Sequence, residues 1–307
     1  MAALIFTRLG QVGTDVTRPV ALGVVMALAR YRPLRRMLLY LDILHALSTC
    51  LPCNWLGDAD RSMRSGTSPP SSPPDHSDLT MLALESFELL LTERAAVAAF
   101  CATSALRSVL SGLRVAGPES LPAAVRIIGR VAAQRIGAVA IVHANGLRST
   151  LRLLCAACGD TDRTTSAGDG CDLPLEAPLQ AGTTIGEEMV DLSRISADAR
   201  LGLFRIAADL SGLAETHADF ARPRALNAVL SPLRGGPERL VPPCVYIVRN
   251  LSRGVQTRAR LVRQCTPWLV PRLIHIAVHG PALSSRADAL HTLYSPPPPK
   301  HARNACT

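Results

Sequence analysis

The sequence predicts an all-α solenoid of about five three-helix repeats, interrupted by two disordered insertions. Three observations lead there. First, one template recurs around Leu106, Leu147, Leu226 and Pro267, and more loosely around Leu44. It runs Arg, then Leu or Val three residues on, then a small residue and Leu before a hydrophobic run. Leu106 to Leu147 and Leu226 to Pro267 are both steps of 41 residues. The other steps, 62 and 79, return to 41 when about 21 residues near 56–77 and about 38 near 158–196 are set aside. Second, apolar residues recur at spacings of three and four, with no strand-like alternation. Third, 48% of the residues are hydrophobic but only 4% aromatic. Ala, Leu, Val and Ile must then fill the core, which suits closely packed helices better than sheets. Such a unit has no second layer of its own, so stacked neighbours must supply one continuous core.

Each unit reads as three helical segments. In the last, Pro242-Pro243 open a helix through Ser252, since proline is tolerated in a first turn, and Gly254 stops it. A second segment spans Thr257 to Gln264, Cys265-Thr266-Pro267 makes a break, and a third spans Trp268 to Ile276 before Gly280-Pro281. The same order recurs in Ala123–Leu154, Leu82–Leu113, Ala199–Leu233 and, more degenerately, Ala21–Leu51. Leu147, Leu151, Leu154, Leu261, Leu273 and Ile276 are the residues expected to be buried between neighbouring units.

This divides the chain into a degenerate repeat at 1–55, a Pro/Ser-rich disordered linker at 56–77 and two repeats at 78–158. An acidic flexible insertion follows at 159–194, then two repeats and the start of a further one at 195–294, and a Pro-rich disordered tail at 295–307. Met1–Val12 reads as the last helix of an earlier unit and Leu283–Tyr294 as the first of another. Both ends therefore look unfinished, as in a fragment, an unusual isoform or an array with a partner at its ends.

The net charge of +9 comes almost wholly from arginine: of 33 basic residues only Lys300 is lysine. Residues 222–280 hold ten Arg against Glu238, whereas 160–191 hold eight acids against Arg163. The first 40 residues contain one acid, Asp15, and several Arg, as a mitochondrial transit peptide would, but most of them fit the repeat template. The scattered cysteines and the lack of a secretory signal indicate a reducing compartment, cytoplasmic or nuclear. The stretch Pro19 to Ala29 is too short to span a bilayer.

Arg258 through Cys265, Ile141-Val142-His143-Ala144-Asn145-Gly146-Leu147 with Leu151 and Leu154, and Arg94 through Leu113 resemble the hallmark of the armadillo repeat family. That hallmark runs Arg-x-x-Ile-Val-x-x-Gly-Ala-Leu-x-x-Leu-x-x-Leu-Leu, after a helix ending Leu-x-Asn-Leu. The resemblance covers about two thirds of the chain. It implies a right-handed superhelical solenoid whose opening helices line a concave groove. In that family an aromatic residue and an Asn four residues apart on the opening helix hold an extended peptide, the spacing placing both on one helical face. Carried over by repeat alignment, the aromatic position falls on Gly23, Glu85, Arg126, Arg205 and Tyr246, and the Asn position on Ala27, Leu89, Arg130, Asp209 and Asn250. Only Tyr246 and Asn250 resemble the family pair. The candidate groove is therefore Arg126, Arg130, Arg205, Asp209, Tyr246 and Asn250, whose three arginines suit a partner segment with acidic side chains.

Signatures of catalysis are missing. A phosphate-cradling loop or a Schiff base needs a lysine, and the only one stands in the tail. His-Glu-x-x-His, Gly-x-Ser-x-Gly and Gly-x-Gly-x-x-Gly do not occur in the settings that give them meaning. Cys50-x-x-Cys53 and Cys155-x-x-Cys158 lie far apart, at helix ends, and read as small core residues rather than zinc ligands. Asp160, Asp162, Asp169 and Asp172 lack the glycine and glutamate of a calcium loop. The expectation is a non-catalytic interaction scaffold, without cofactor or metal, binding a protein partner. The alternative is a nucleic-acid-associated protein using the arginines of 222–280, a reading that rests on charge alone. The opposite charge of 160–191 further suggests that this insertion competes for those arginines.

Overall fold

The structure is a computed structural model, which describes residues 17–51, 77–115, 119–158 and 195–294. Met1–Val12, the linker 56–77 apart from Ser77, the insertion 159–194 and the tail 295–307 lie outside the described residues, and so do the expectations placed on them. Every regular element among the described residues is helical. The first unit comprises α1 (Thr17–Ala29), α2 (Arg32–Tyr40) and α3 (Ile43–Ser48). The second comprises α4 (Ser77–Leu90), α5 (Arg94–Ala102) and α6 (Ala105–Val115), and the third α7 (Ser120–Ala132), α8 (Arg135–His143) and α9 (Gly146–Cys158). The fourth holds α10 (Ala197–Ser211), a short 3-10 turn running into α11 (His217–Phe220), and α12 (Pro223–Gly235). The fifth holds α13 (Val241–Arg253) and α14 (Val255–His279), and α15 (Leu283–Tyr294) opens a sixth.

Local chemistry sets the ends. The Ser196 hydroxyl accepts from the Ala199 amide at 3.2 Å and caps α10. Pro223 sits in the first turn of α12 and prolines open α13. Between α8 and α9 the chain turns through Asn145 at φ 58°, a left-handed conformation that Asn tolerates better than most residues. Gly146 follows because a Cβ there would come within 2.8 Å of both Ile141 and Leu110. The short spacer thus lets the third helix of one unit press against that of the unit before.

Two stacks build the solenoid. The opening helices pack in the order α1, α4, α7, α10, α13, α15, and the third helices in the order α3, α6, α9, α12. The insertion at 159–194 does not divide the array, because α7 packs on α10 and α9 on α12 across it. A single hydrophobic core runs from Ala21 to Ala289. All six residues expected between the units are buried: Leu147, Leu151, Leu154, Leu261, Leu273 and Ile276. Although aromatics are few, Phe87, Phe100, Phe204 and Phe220 are fully buried. Phe87 and Phe100 meet edge to face at 5.2 Å between ring centroids, a favoured aromatic geometry.

One expected break is absent. Residues 255–279 form a single helix through Cys265-Thr266-Pro267, with Pro267 and Pro271 inside it. Both prolines are on the exposed face, while Leu261, Cys265, Leu269, Leu273 and Ile276 form an unbroken buried stripe. The Thr266 hydroxyl donates to the Val262 carbonyl at 2.6 Å near the first proline. Continuous burial on one side outweighs the bonds that the prolines remove on the other.

Candidate functional site

The six groove residues lie on three successive opening helices: Arg126 and Arg130 on α7, Arg205 and Asp209 on α10, Tyr246 and Asn250 on α13. Each helix carries a buried stripe against its neighbours, so its opposite face is left to solvent. On α13 the residues Cys244, Val245, Ile247, Val248 and Leu251 are fully buried, whereas Tyr246 between them is 38% exposed. Arg126, Arg130 and Arg205 are exposed likewise.

The arginines of α7 are not bare. Arg126 Nε donates to Glu88 Oε2 at 2.8 Å, and Arg130 Nη2 to Glu88 Oε1 at 3.3 Å. One carboxylate on α4 thereby holds two guanidiniums on the next opening helix and leaves a net positive charge. Such pairs are solvated and add well under about 1 kcal/mol each, so their effect is to aim the side chains. Asp209 is half-buried, and that burial pushes its carboxyl up to about 6.

Asn250 does not join the exposed row. It is only 3% exposed. Its side-chain nitrogen donates to the Ser211 hydroxyl on α10 at 3.0 Å, and that hydroxyl donates to the Ala208 carbonyl at 2.6 Å. The amide therefore ties α13 back to α10 instead of projecting beside Tyr246. Its neighbour Arg249 reaches the other way and meets Asp288 on α15 at 2.5 Å. Sequence reasoning missed Glu88, Ser211, Arg249 and Asp288. Each partner stands roughly one repeat away, 38 to 42 residues along the chain, so the repeat length marks the neighbouring unit but not which side chains meet.

Much of the arginine in 222–280 is also spoken for. Arg260 donates to the Ala221 carbonyl, and Arg272 to the Leu233 carbonyl at 3.0 Å. Arg234 lies over the Trp268 ring at 4.6 Å. These guanidiniums join one unit to another, an engagement that sequence charge could not reveal. Among the described residues no group of three or more His, Cys, Asp or Glu side chains could hold a metal ion. No single described helix is long and apolar enough to cross a membrane.

The whole stack superposes on solved repeat proteins. A designed armadillo repeat protein matches with a TM-score of 0.64 at 13% identity, over 95% of this chain and 98% of its own. The chain has an armadillo-like repeat fold. A computationally designed armadillo repeat protein for modular peptide recognition matches with a TM-score of 0.63 at 13% identity, over 95% of this chain and 98% of its own. A third design, in complex with a (KR)4 peptide, matches with a TM-score of 0.61 at 14% identity, over 94% and 97% of the two chains. No family model matches the sequence, and no curated protein matches it significantly.

Proposed function

We propose that this armadillo-like solenoid is a non-catalytic scaffold that holds a protein partner along its opening helices, through an extended segment carrying acidic side chains. The observation that carries the reading is the exposed row of Arg126, Arg130, Arg205 and Tyr246, running across α7, α10 and α13 above a mostly apolar buried layer. An exposed tyrosine within a positive row offers what a bound segment needs: an aromatic surface for its side chains and charge for its carboxylates. The design that matches this fold in complex with (KR)4 holds a basic peptide. The arginines of the exposed row here suit a segment of the opposite charge. Asn250 belongs to the support of this face. A cytoplasmic or nuclear setting goes with the reading, on the strength of the cysteine usage.

The test is affinity capture with the full chain, compared with a Tyr246→Ala/Arg205→Glu variant of unchanged helicity and Tm. Proteins lost from the variant, and recovered by it only weakly at physiological salt, support the groove. An identical set of captured proteins overturns it. Capture abolished by nuclease, with a steep loss as salt rises, favours the nucleic-acid alternative.

A further inference from the structure

A cleft of about 950 Å³ opens between the third helices α9 and α12. Its floor is apolar, formed by Leu151, Ala225 and Ala228. Its walls are basic. Arg148 and Arg152 stand one turn apart on α9, and Arg224 faces them from the first turn of α12. All three are exposed, and none has a carboxylate or hydrogen-bond partner among the described residues. Asp219, the acid at the rim, is already matched by Arg222 at 2.8 Å. Asn227 and Ser231 add uncharged polar groups to the α12 wall at helical spacing from Arg224.

The contrast with the opening-helix face is informative. There Arg126 and Arg130 share Glu88, and Arg249 is paired with Asp288. Here three guanidiniums line a concave, apolar-floored space and have no carboxylate partner among the described residues. Arginine on two facing walls is suited to bidentate contact with carboxylates. Among the described residues that line the cleft there is no aromatic side chain on which a base could stack, which counts against a single-stranded nucleic acid.

We propose that the cleft between α9 and α12 is a second binding site, for an acidic peptide segment of a partner protein, held by Arg148, Arg152 and Arg224 over the Leu151–Ala228 floor. It is independent of the opening-helix groove.

The experiment uses a short fluorescein-labelled Asp/Glu-rich peptide and the full chain, read by fluorescence polarisation at low and physiological salt. It is run in parallel on the chain lacking 160–184, since carboxylates tethered next to Cys158 would compete with the probe. The proposal expects saturable binding in at least one form, with affinity lost by about tenfold or more in Arg152→Glu/Arg224→Glu. The loss is read in the Tyr246→Ala/Arg205→Glu background, which silences the opening-helix groove, and there Arg135→Glu/Arg263→Glu, which removes as much positive charge from exposed positions elsewhere, should change affinity less than about threefold. Tyr246→Ala/Arg205→Glu by itself should leave the component that depends on Arg152 and Arg224 intact, so this site and the groove fail separately. No saturable binding in either form overturns the proposal, as does equal loss in the two charge-reversal pairs. A single-stranded oligonucleotide bound more tightly than the peptide through the same arginines overturns the assignment to peptide.

Discussion

The side-chain amide of Asn250 donates to the hydroxyl of Ser211 across the seam between two opening helices, 3.0 Å away and 39 residues back in the chain. Both residues are buried, so the bond forms where water cannot replace it. Tyr246, one turn earlier on the same helix, stays exposed. Two residues that resemble one functional pair therefore have separate physical roles, and separate consequences when changed.

Asn250→Ala should lower stability by about 1–3 kcal/mol, because it removes a buried hydrogen bond and leaves a small void. Tyr246→Ala should stay within about 1 kcal/mol while weakening partner capture. Thermal denaturation of the two single variants checks this. Equal losses of stability would mean that Tyr246 is also part of the packing.

Breaking Arg249–Asp288 should cost more than replacing it. Their side chains are only 24% and 11% exposed, and Arg249 Nε already lacks a partner. Asp288→Ala would strand a poorly solvated guanidinium and should destabilise by about 2–4 kcal/mol. The double variant Arg249→Met/Asp288→Leu should recover more than half of that. A double-mutant cycle in urea measures the coupling directly.

Leu154→Ala and Leu273→Ala should each destabilise by about 2–5 kcal/mol, by lost transfer energy plus a cavity. These residues are 0% and 2% exposed, on α9 and α14 respectively. Effects below about 0.5 kcal/mol at both would be incompatible with a core running between the units.

Asp209 gives the solenoid a pH dependence. Burial raises its carboxyl from 3.8 to about 6, so the folded state disfavours the charged form. The contribution of this group is fully present below the unfolded value and is lost as pH rises through the folded one. Asp209→Asn should therefore stabilise the protein near neutral pH, by an amount on the order of 1 kcal/mol after allowing for its partial exposure. Below about pH 4 it should change little. Tm differences between the two proteins, measured from about pH 4 to about pH 8, decide the sign. The same titration makes the exposed row more positive at mildly acid pH, where an acidic segment should bind more tightly.

Sequence alone determined the repeat, its length, the helical class, the order of three helices in every unit but the fifth, and the core leucines. These follow from hydrogen bonds and side-chain spacing within a few residues, which the local pattern states directly. The candidate row came from aligning the units to the armadillo pair, and of its six positions Arg126, Arg130, Arg205 and Tyr246 are exposed. What Asn250 and the arginines do there was not legible in the sequence, because Glu88, Ser211 and Asp288 belong to neighbouring units. Whether a side chain meets such a partner depends on the rotation and rise between stacked helices, which no single helix encodes. Tertiary packing likewise carried α14 through Pro267, since a buried stripe on one side compensated for the prolines on the other. It also created the cleft, by closing α9 against α12 across residues 159–194 and facing Arg152 with Arg224.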